Sequence, residues 1–388
     1  MWYFNSPEVV YGEDALSHLD TLRGERAFVV TDPTILKLGF VDVVKGHLHA
    51  AGMQVAVFAE VEPEPSLQTV RRGAEVMRNF APDWIVGLGG GSSMDAAKAM
   101  WILYERPELD PAEINPFVEL GLRQKARLIT IPTTSGTGAE ATWGIVLTDT
   151  QGRRKLALGA REVLADVAIV DPVLVMDLPS QITADTGMDA LTHAVEGYTS
   201  AWHNDFCDGL CLKAIQLVFE YLPRAYANGG EDPEAREKMH NGACIAGLGF
   251  GNSMAALAHA LGHALGGVFH VPHGRAVGLF LPYTIEFAVR GGETRYAEIA
   301  RFLGLPADDE AEGAASLVKA VRDLARRIDQ PLTIRDLGIT QEDFEANLSR
   351  LVANADTDTQ MITSTRVPST EQSEQLFRYA YEGKEIDF

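Results

Sequence analysis

Asp189 and His193 stand four residues apart in the segment GMDALTHAVEGY, and His259 and His263 stand four apart in AHALGHALGG. At that spacing both members of a pair leave the same face of a helix. His270 and His273 follow in FHVPHGRA. A lone histidine on an apolar face is ordinarily a core residue whose polar atoms are satisfied by neighbours. Two such pairs among Ala and Leu, with a His-Gly loop close behind, point instead to a metal site. One carboxylate with several imidazoles suits Fe(II) or Zn(II) rather than Mg(II) or Ca(II), and the lack of a thiolate among them favours Fe(II). Spacing leaves open which three or four of Asp189, His193, His259, His263, His270 and His273 ligate.

A second chemistry is written in the N-terminal half. Gly87-Leu88-Gly89-Gly90-Gly91-Ser92-Ser93-Met94-Asp95 follows an apolar run and leads into a helical stretch, Ala96–Leu103. A strand, a glycine run and a helix start make an anion site, because the backbone approaches closely and the helix offers free N–H groups. The run is not the G-x-G-x-x-G dinucleotide fingerprint, since Ser92 stands where its third glycine belongs. A second small-residue loop, Pro132-Thr133-Thr134-Ser135-Gly136-Thr137-Gly138-Ala139-Glu140, follows the next apolar run. Two such loops at the carboxyl ends of strands in one sheet favour a nucleotide over a pair of plain turns. Asp32 ends the first apolar run before Pro33; it reads as a turn residue or as an acceptor for a ribose hydroxyl.

The elements that must hold these groups change character along the chain. Ala27–Thr31, Gln54–Phe58, Trp84–Gly87, Leu128–Ile131 and Val167–Val170 read as buried strands, separated by helical stretches such as Ser66–Asn79. That alternation predicts βαβ units and a mostly parallel sheet. Beyond Leu178-Pro179-Ser180 the pattern is helical: Ala184–Thr199, Asp208–Tyr226, Pro233–Leu248, Ser253–Leu265, Ala276–Arg290, Ala314–Ile328 and Ser373–Gly383. The acidic stretch Ala307–Glu312 reads as a solvated loop. The expected organisation is therefore an α/β, Rossmann-like nucleotide-binding domain at 1–180 and an all-α metal-binding domain at 181–388. Two domains also suit 388 residues, at about 100–200 residues each.

Composition bounds the partners. Asp and Glu number 54 against 33 Lys and Arg, a net charge of −21. Such a surface repels phosphate backbones, which argues against nucleic acid and anionic membrane. Three cysteines, Cys207, Cys211 and Cys244, form no paired framework and suit a reducing compartment. The N-terminal segment has no basic start and no apolar core of a secretion signal. No run reaches the ~20 apolar residues of a membrane helix. The expected location is cytoplasmic.

The segments GGGSSMDAAK (89–98), IPTTSGTGAEAT (131–142), GMDALTHAVEGY (187–198) and the block His259–Pro282 resemble the iron-containing (group III) alcohol dehydrogenases, across essentially the whole chain. The resemblance implies a metal held by Asp189, His193, His259 and His273 in a helical domain, with an NAD(P) domain before it and the active site in the cleft between. It makes His263 the non-ligating histidine that relays protons. Gly90, Gly91, Ser92 and Asp95 would line the pyrophosphate region, Thr133, Thr134 and Thr137 would touch the nicotinamide half, and Lys155 a ribose. Asp32 matches the position where an acid favours NAD over NADP. Trp143 or Gly144, Phe250 and Gln360 fall at substrate-pocket positions. Where the family often has Asn-Pro-Arg, this chain has Ser364-Thr365-Arg366. The implied activity is an NAD-dependent, divalent-metal-dependent alcohol dehydrogenase or aldehyde reductase for short primary alcohols or small diols, in a homo-oligomer, with a dimer favoured. A three-ligand zinc polyol dehydrogenase of the glycerol type is the alternative. A non-catalytic nucleotide-binding or filament-forming subunit is a second, although such a relative would be expected to have lost ligands.

Overall fold

The structure is a computed structural model and describes residues 3–150 and 154–388; Met1 and Trp2 of the N-terminal segment lie outside the described residues. Two compact units divide the chain, Met1–Asp177 and Leu178–Phe388.

In the first unit, β1 (Glu8–Tyr11), β2 (Arg26–Val30), β3 (Gln54–Phe58), β4 (Trp84–Gly89), β5 (Arg127–Pro132) and β8 (Val167–Val170) form one sheet in the order β1-β8-β5-β4-β2-β3. Every pairing in it is parallel. A parallel sheet is covered on both faces, and the strands show it. Ala27 and Val29 of β2 join Trp84, Val86 and Leu88 of β4 in one core, with Ile35, Val41 and Leu48 from α1 (Pro33–Lys37) and α2 (Phe40–Ala50). The alternate residues Phe28, Val30 and Ile85 face the other core, with Val70, Ala74 and Met77 of α3 (Leu67–Phe80) and Ala96, Met100 and Trp101 of α4 (Gly91–Glu105). The chain runs outward from β2 to β3, then returns past β2 to β4. The strand order thus reverses between β2 and β4, the kind of switch point where open α/β sheets bind ligands.

Two parts of this unit are absent from the sequence reading. β1 is a four-residue edge strand, too short to show a period. β6 (Gly144–Asp149) and β7 (Arg154–Gly159) form a separate antiparallel hairpin, which carries Lys155.

Among its described residues the second unit holds helices and no strand: α5 (Ser180–Thr199), α6 (Asp205–Asn228), α7 (Pro233–Phe250), α8 (Leu257–Phe269), α9 (His273–Arg290), α10 (Arg295–Phe302), α11 (Glu310–Arg327), α12 (Gln341–Asp356) and α13 (Thr370–Glu382). From Thr183 to Thr199 almost every residue of α5 is buried. A helix enclosed on all sides can place polar groups only where neighbours receive them. Two helix starts correct the sequence reading. α8 begins at Leu257, not Ser253, because Met254 takes a positive φ of 76° and the chain stays non-helical to the N-cap Ala256. The acidic stretch at Ala307–Glu312 is not all loop, because the Asp309 carboxylate accepts from the Glu312 N–H and starts α11. All three cysteines are buried and form no disulfide.

Candidate functional site

α5 carries Asp189 and His193 on one face, α8 carries His259, and His273 is the first residue of α9. The start of α9 lies directly on α5. A Cβ on Gly274 would collide with the Asp185 carbonyl and lie 2.9 Å from the Asp189 Cβ. Glycine at that position therefore lets His273 reach Asp189. The result is a tight cluster: one donor atom from each of Asp189, His193, His259 and His273 lies within 4.8 Å of the others. Asp189 Oδ1 is 3.3 Å from His273 Nε2, 3.6 Å from His193 Nδ1 and 3.7 Å from His259 Nε2.

Three of these atoms, Asp189 Oδ1, His193 Nδ1 and His259 Nε2, are buried with no hydrogen-bond partner. Buried polar atoms are ordinarily paired, and leaving one unpaired costs about 1–3 kcal/mol. Three such atoms aimed at one point fit a cation bound by oxygen and imidazole nitrogen. The electrostatics agree. Burial raises the Asp189 pKa, but the adjacent His193 and His273, with His259 beside them, hold the carboxyl well below its usual range. Burial pushes His193 down to about 3, so its ring is neutral and its lone pair available. Burial also lowers His259, but the charges of Glu196 and Asp189 outweigh it and raise that ring to about 9, so at neutral pH a cation would bind His259 by displacing the Nε2 proton.

His263 lies outside this donor set. Its ring stacks 5.2 Å from His273, and its Nδ1–H donates to Asp358 Oδ2 at 2.8 Å. Asp358 is the N-cap of the 3-10 turn Thr359–Thr363, and its Oδ1 accepts the Gln360 N–H at 2.8 Å. The Gln360 side-chain Oε1 is buried without a partner. Phe250, the last residue of α7, stacks face to face on His193 with centroids 3.9 Å apart. His270, a candidate by spacing, is exposed and ends α8 in the left-handed region at φ 56°. Arg366 of the departing Ser364-Thr365-Arg366 segment lies over the Phe287 ring and donates to the Phe287 and Phe388 carbonyls.

In the first unit the two small-residue loops follow β4 and β5. Gly89, at φ +145°, must be glycine: a Cβ there would lie 2.6 Å from Ser93 Oγ. A Cβ on Gly90 would lie 3.6 Å from Thr134, and one on Gly91 3.1 Å from Thr137, so the loops lie against each other. Asp32 is the turn residue that one of its two readings made it. Its Oδ1 accepts the N–H groups of Thr34 and Ile35 as the cap of α1, and its Oδ2 accepts from Ser93 Oγ at 3.2 Å. The carboxylate is thus held at the glycine loop. Asp95 is turned inward, away from a loop-lining role. Its Oδ2 accepts the Val146 N–H at 2.9 Å and its Oδ1 is 3.7 Å from Lys98 Nζ. The fully buried Lys98 donates to the Ala139 and Gly144 carbonyls and ties the second loop to β6. Lys155 pairs with Glu64 at 2.6 Å, and the Glu64 N–H donates to Ser92 Oγ. Trp143 is half-buried against the α3–α4 core, its indole packed on Gly159. Thr133 is buried, and Thr134 Oγ1 is buried with no partner.

Two carboxylates escape the sequence reading. Glu196 holds His259 Nδ1 at 2.5 Å. It follows His193 by three residues and Asp189 by seven, so helical spacing already puts it on that face. Asp358 gives no such signal, since 95 residues separate it from His263.

The family description "Iron-containing alcohol dehydrogenase" matches residues 6–172, and "Fe-containing alcohol dehydrogenase family, C-terminal" matches 183–381. The NADPH-dependent butanol dehydrogenase of Clostridium saccharobutylicum is 40% identical over 391 residues, covering 100% of both chains. The bifunctional aldehyde-alcohol dehydrogenase AdhE of Escherichia coli (strain K12) is 38% identical over 399 residues, which span 96% of this chain and 45% of that one. The crystal structure of a 1,3-propanediol oxidoreductase superposes with a TM-score of 0.92 at 32% identity, over 98% of this chain and 100% of that one. The chain therefore belongs to the iron-containing alcohol dehydrogenase family and is an oxidoreductase of that class.

Proposed function

We propose that the protein interconverts a short primary alcohol or small diol with its aldehyde, using NAD(H) and one divalent cation. The observation that carries this is the convergence of Asp189, His193, His259 and His273 with three of their donor atoms buried and unpartnered. These four residues hold the ion, Fe(II) in preference to Zn(II). When bound, such a cation supplies Lewis-acid polarisation of the alcohol oxygen and lowers its pKa. The hydride chemistry belongs to the nicotinamide.

The chain's own residues do the rest. Asp358 holds the Nδ1–H of His263 and leaves Nε2 as acceptor for the alcohol proton. Phe250, stacked on His193, offers an apolar wall beside the donor cluster, and Gln360 offers an unpaired amide oxygen for one further hydroxyl. An apolar wall with one amide suits a short alcohol better than a sugar, which needs many polar partners.

The first unit takes the role of cofactor domain and the second that of metal domain. Gly90, Gly91 and Ser92 lead into the N-terminus of α4, where free N–H groups favour a pyrophosphate. Thr133, Thr134 and Thr137 face the nicotinamide half, and Lys155 a ribose. The negative charge of Asp32 at the end of β2 repels a ribose 2′-phosphate and supports NAD(H) over NADP(H), a preference opposite to that in the name of the butanol dehydrogenase relative. A homodimer in the cytoplasm completes the reading. It is supported by the unpaired outer side of the edge strand β1 and by three buried cysteines that form no disulfide.

The test is anaerobic loading with Fe(II), then NADH and NADPH absorbance with a panel of primary alcohols, diols, secondary alcohols and polyols. Turnover of short primary alcohols with NAD supports the reading. A strong preference for polyols or secondary alcohols overturns the substrate assignment, and an NADP(H) preference overturns the cofactor assignment.

A further inference from the structure

The buried carboxylate of Glu196 touches two things at once. Its Oε2 accepts from His259 Nδ1 at 2.5 Å and from the Ala256 N–H at 2.9 Å. Its Oε1 accepts from the Ala258 N–H at 2.5 Å. Ala256 and Ala258 are the N-cap and second residue of α8, the helix that carries both His259 and His263. Ala256 has no side-chain oxygen to cap its own helix, so a carboxylate from α5 takes that place. A helix N-terminus favours a negative charge through its dipole and its unpaired N–H groups. Among the described residues the one ion pair of Glu196 is with His259.

The consequence for the donor cluster is geometric. A neutral imidazole that donates from Nδ1 has its lone pair on Nε2. His259 Nε2 is the buried, unpartnered atom that faces Asp189 Oδ1 at 3.7 Å. Glu196 stands on the same helix as Asp189 and His193, so one residue registers the α8 histidine against the two α5 ligands.

We propose that Glu196 is a positioning residue for the metal centre. It fixes His259 in the Nδ1–H tautomer, with Nε2 as the ligating atom, and anchors the start of α8 so that His259 meets Asp189 and His193. The proposal rests on the metal-site reading above. Carboxylates behind ligating histidines generally change metal affinity by about 10- to 100-fold when removed.

Glu196→Gln tests it. A glutamine keeps the shape but presents one acceptor and one donor. In one orientation its NH2 faces the two N–H groups served by Oε2, those of His259 and Ala256. In the other it faces the Ala258 N–H. Neither serves all three. The wild type and variant are stripped and titrated with Co(II), whose visible absorption reports ligand geometry, against a competing chelator. The expected result is a Co(II) affinity about 10- to 100-fold weaker with a changed absorption band, while NAD(H) affinity stays within twofold. Unchanged affinity and spectrum in the variant overturn the positioning role and leave the metal reading intact. No Co(II) binding by the wild type overturns the metal reading itself. A measurement on the unmutated protein stands apart from any folding defect: 15N NMR of histidine-labelled, Zn(II)-loaded enzyme. A protonated Nδ1 and a metal-bound Nε2 at His259 support the proposal, and the reverse assignment refutes it.

Discussion

Metal removal should destabilise the helical unit by an amount that depends on His193. Three buried atoms, Asp189 Oδ1, His193 Nδ1 and His259 Nε2, have no hydrogen-bond partner. At about 1–3 kcal/mol each, their burial costs the metal-free fold roughly 3–9 kcal/mol, which sets the scale of what coordination can relieve. The measurable gain follows from linkage: free cation at 100 times its dissociation constant adds about 2.7 kcal/mol. For a unit the size of Leu178–Phe388, each kcal/mol moves Tm by about 2–4 °C, so loading should raise the transition by roughly 5–11 °C. The assay is anaerobic calorimetry of chelator-stripped protein with stepwise addition of Fe(II) or Zn(II). His193→Ala is the control that isolates the site. It removes one donor and also the ring stacked on Phe250, so its metal-free Tm is not itself diagnostic. The increment on adding metal is, and it should largely vanish. A full increment in His193→Ala, or none in the wild type with either metal, refutes the ligand assignment.

His263→Ala should keep metal and NAD(H) binding yet slow turnover by about 10²–10⁴-fold, as loss of a general acid–base group does; loss of metal in this variant would make His263 a ligand. Asp32→Gly should narrow the preference for NAD(H) over NADP(H) in paired kcat/KM measurements. Gly is only a few tenths of a kcal/mol worse than Asp as an N-cap, and the buried Ser93 hydroxyl loses its acceptor at a cost of about 1–3 kcal/mol, so a collapse of the fold would mean the effect is not one of cofactor choice. Phe250→Ala should shift preference among ethanol-to-hexanol substrates toward longer chains, with Trp143→Ala assayed beside it. An unchanged ranking removes the mutated residue from the pocket wall.

Local chemistry written in consecutive residues is legible in the amino-acid order alone. Apolar runs mark β2, β4, β5 and β8, because a strand buried on both faces must be apolar throughout; β3, at the sheet edge, is apolar but only half-buried. The i,i+4 pairs Asp189/His193 and His259/His263 mark two site-bearing helix faces, because helical spacing alone fixes which side chains share a face. Spacing does not separate His259 and His273 from His263 and His270. That separation depends on how α9 lies on α5, where Gly274 admits an approach any Cβ would block. Sequence likewise leaves Asp32 between a turn and a binding role. Its place at the reversal of strand order, with Ser93 reaching across from the glycine loop, follows from which strands become neighbours. Asp95 reads as part of the glycine loop, but the helix turn carries it inward to β6. Glu196 is within reach of the spacing rule. Asp358, 95 residues beyond His263, is not. A contact of that span is chosen by the packing of whole helices, whose apolar faces constrain it only collectively, and tertiary structure alone decides it.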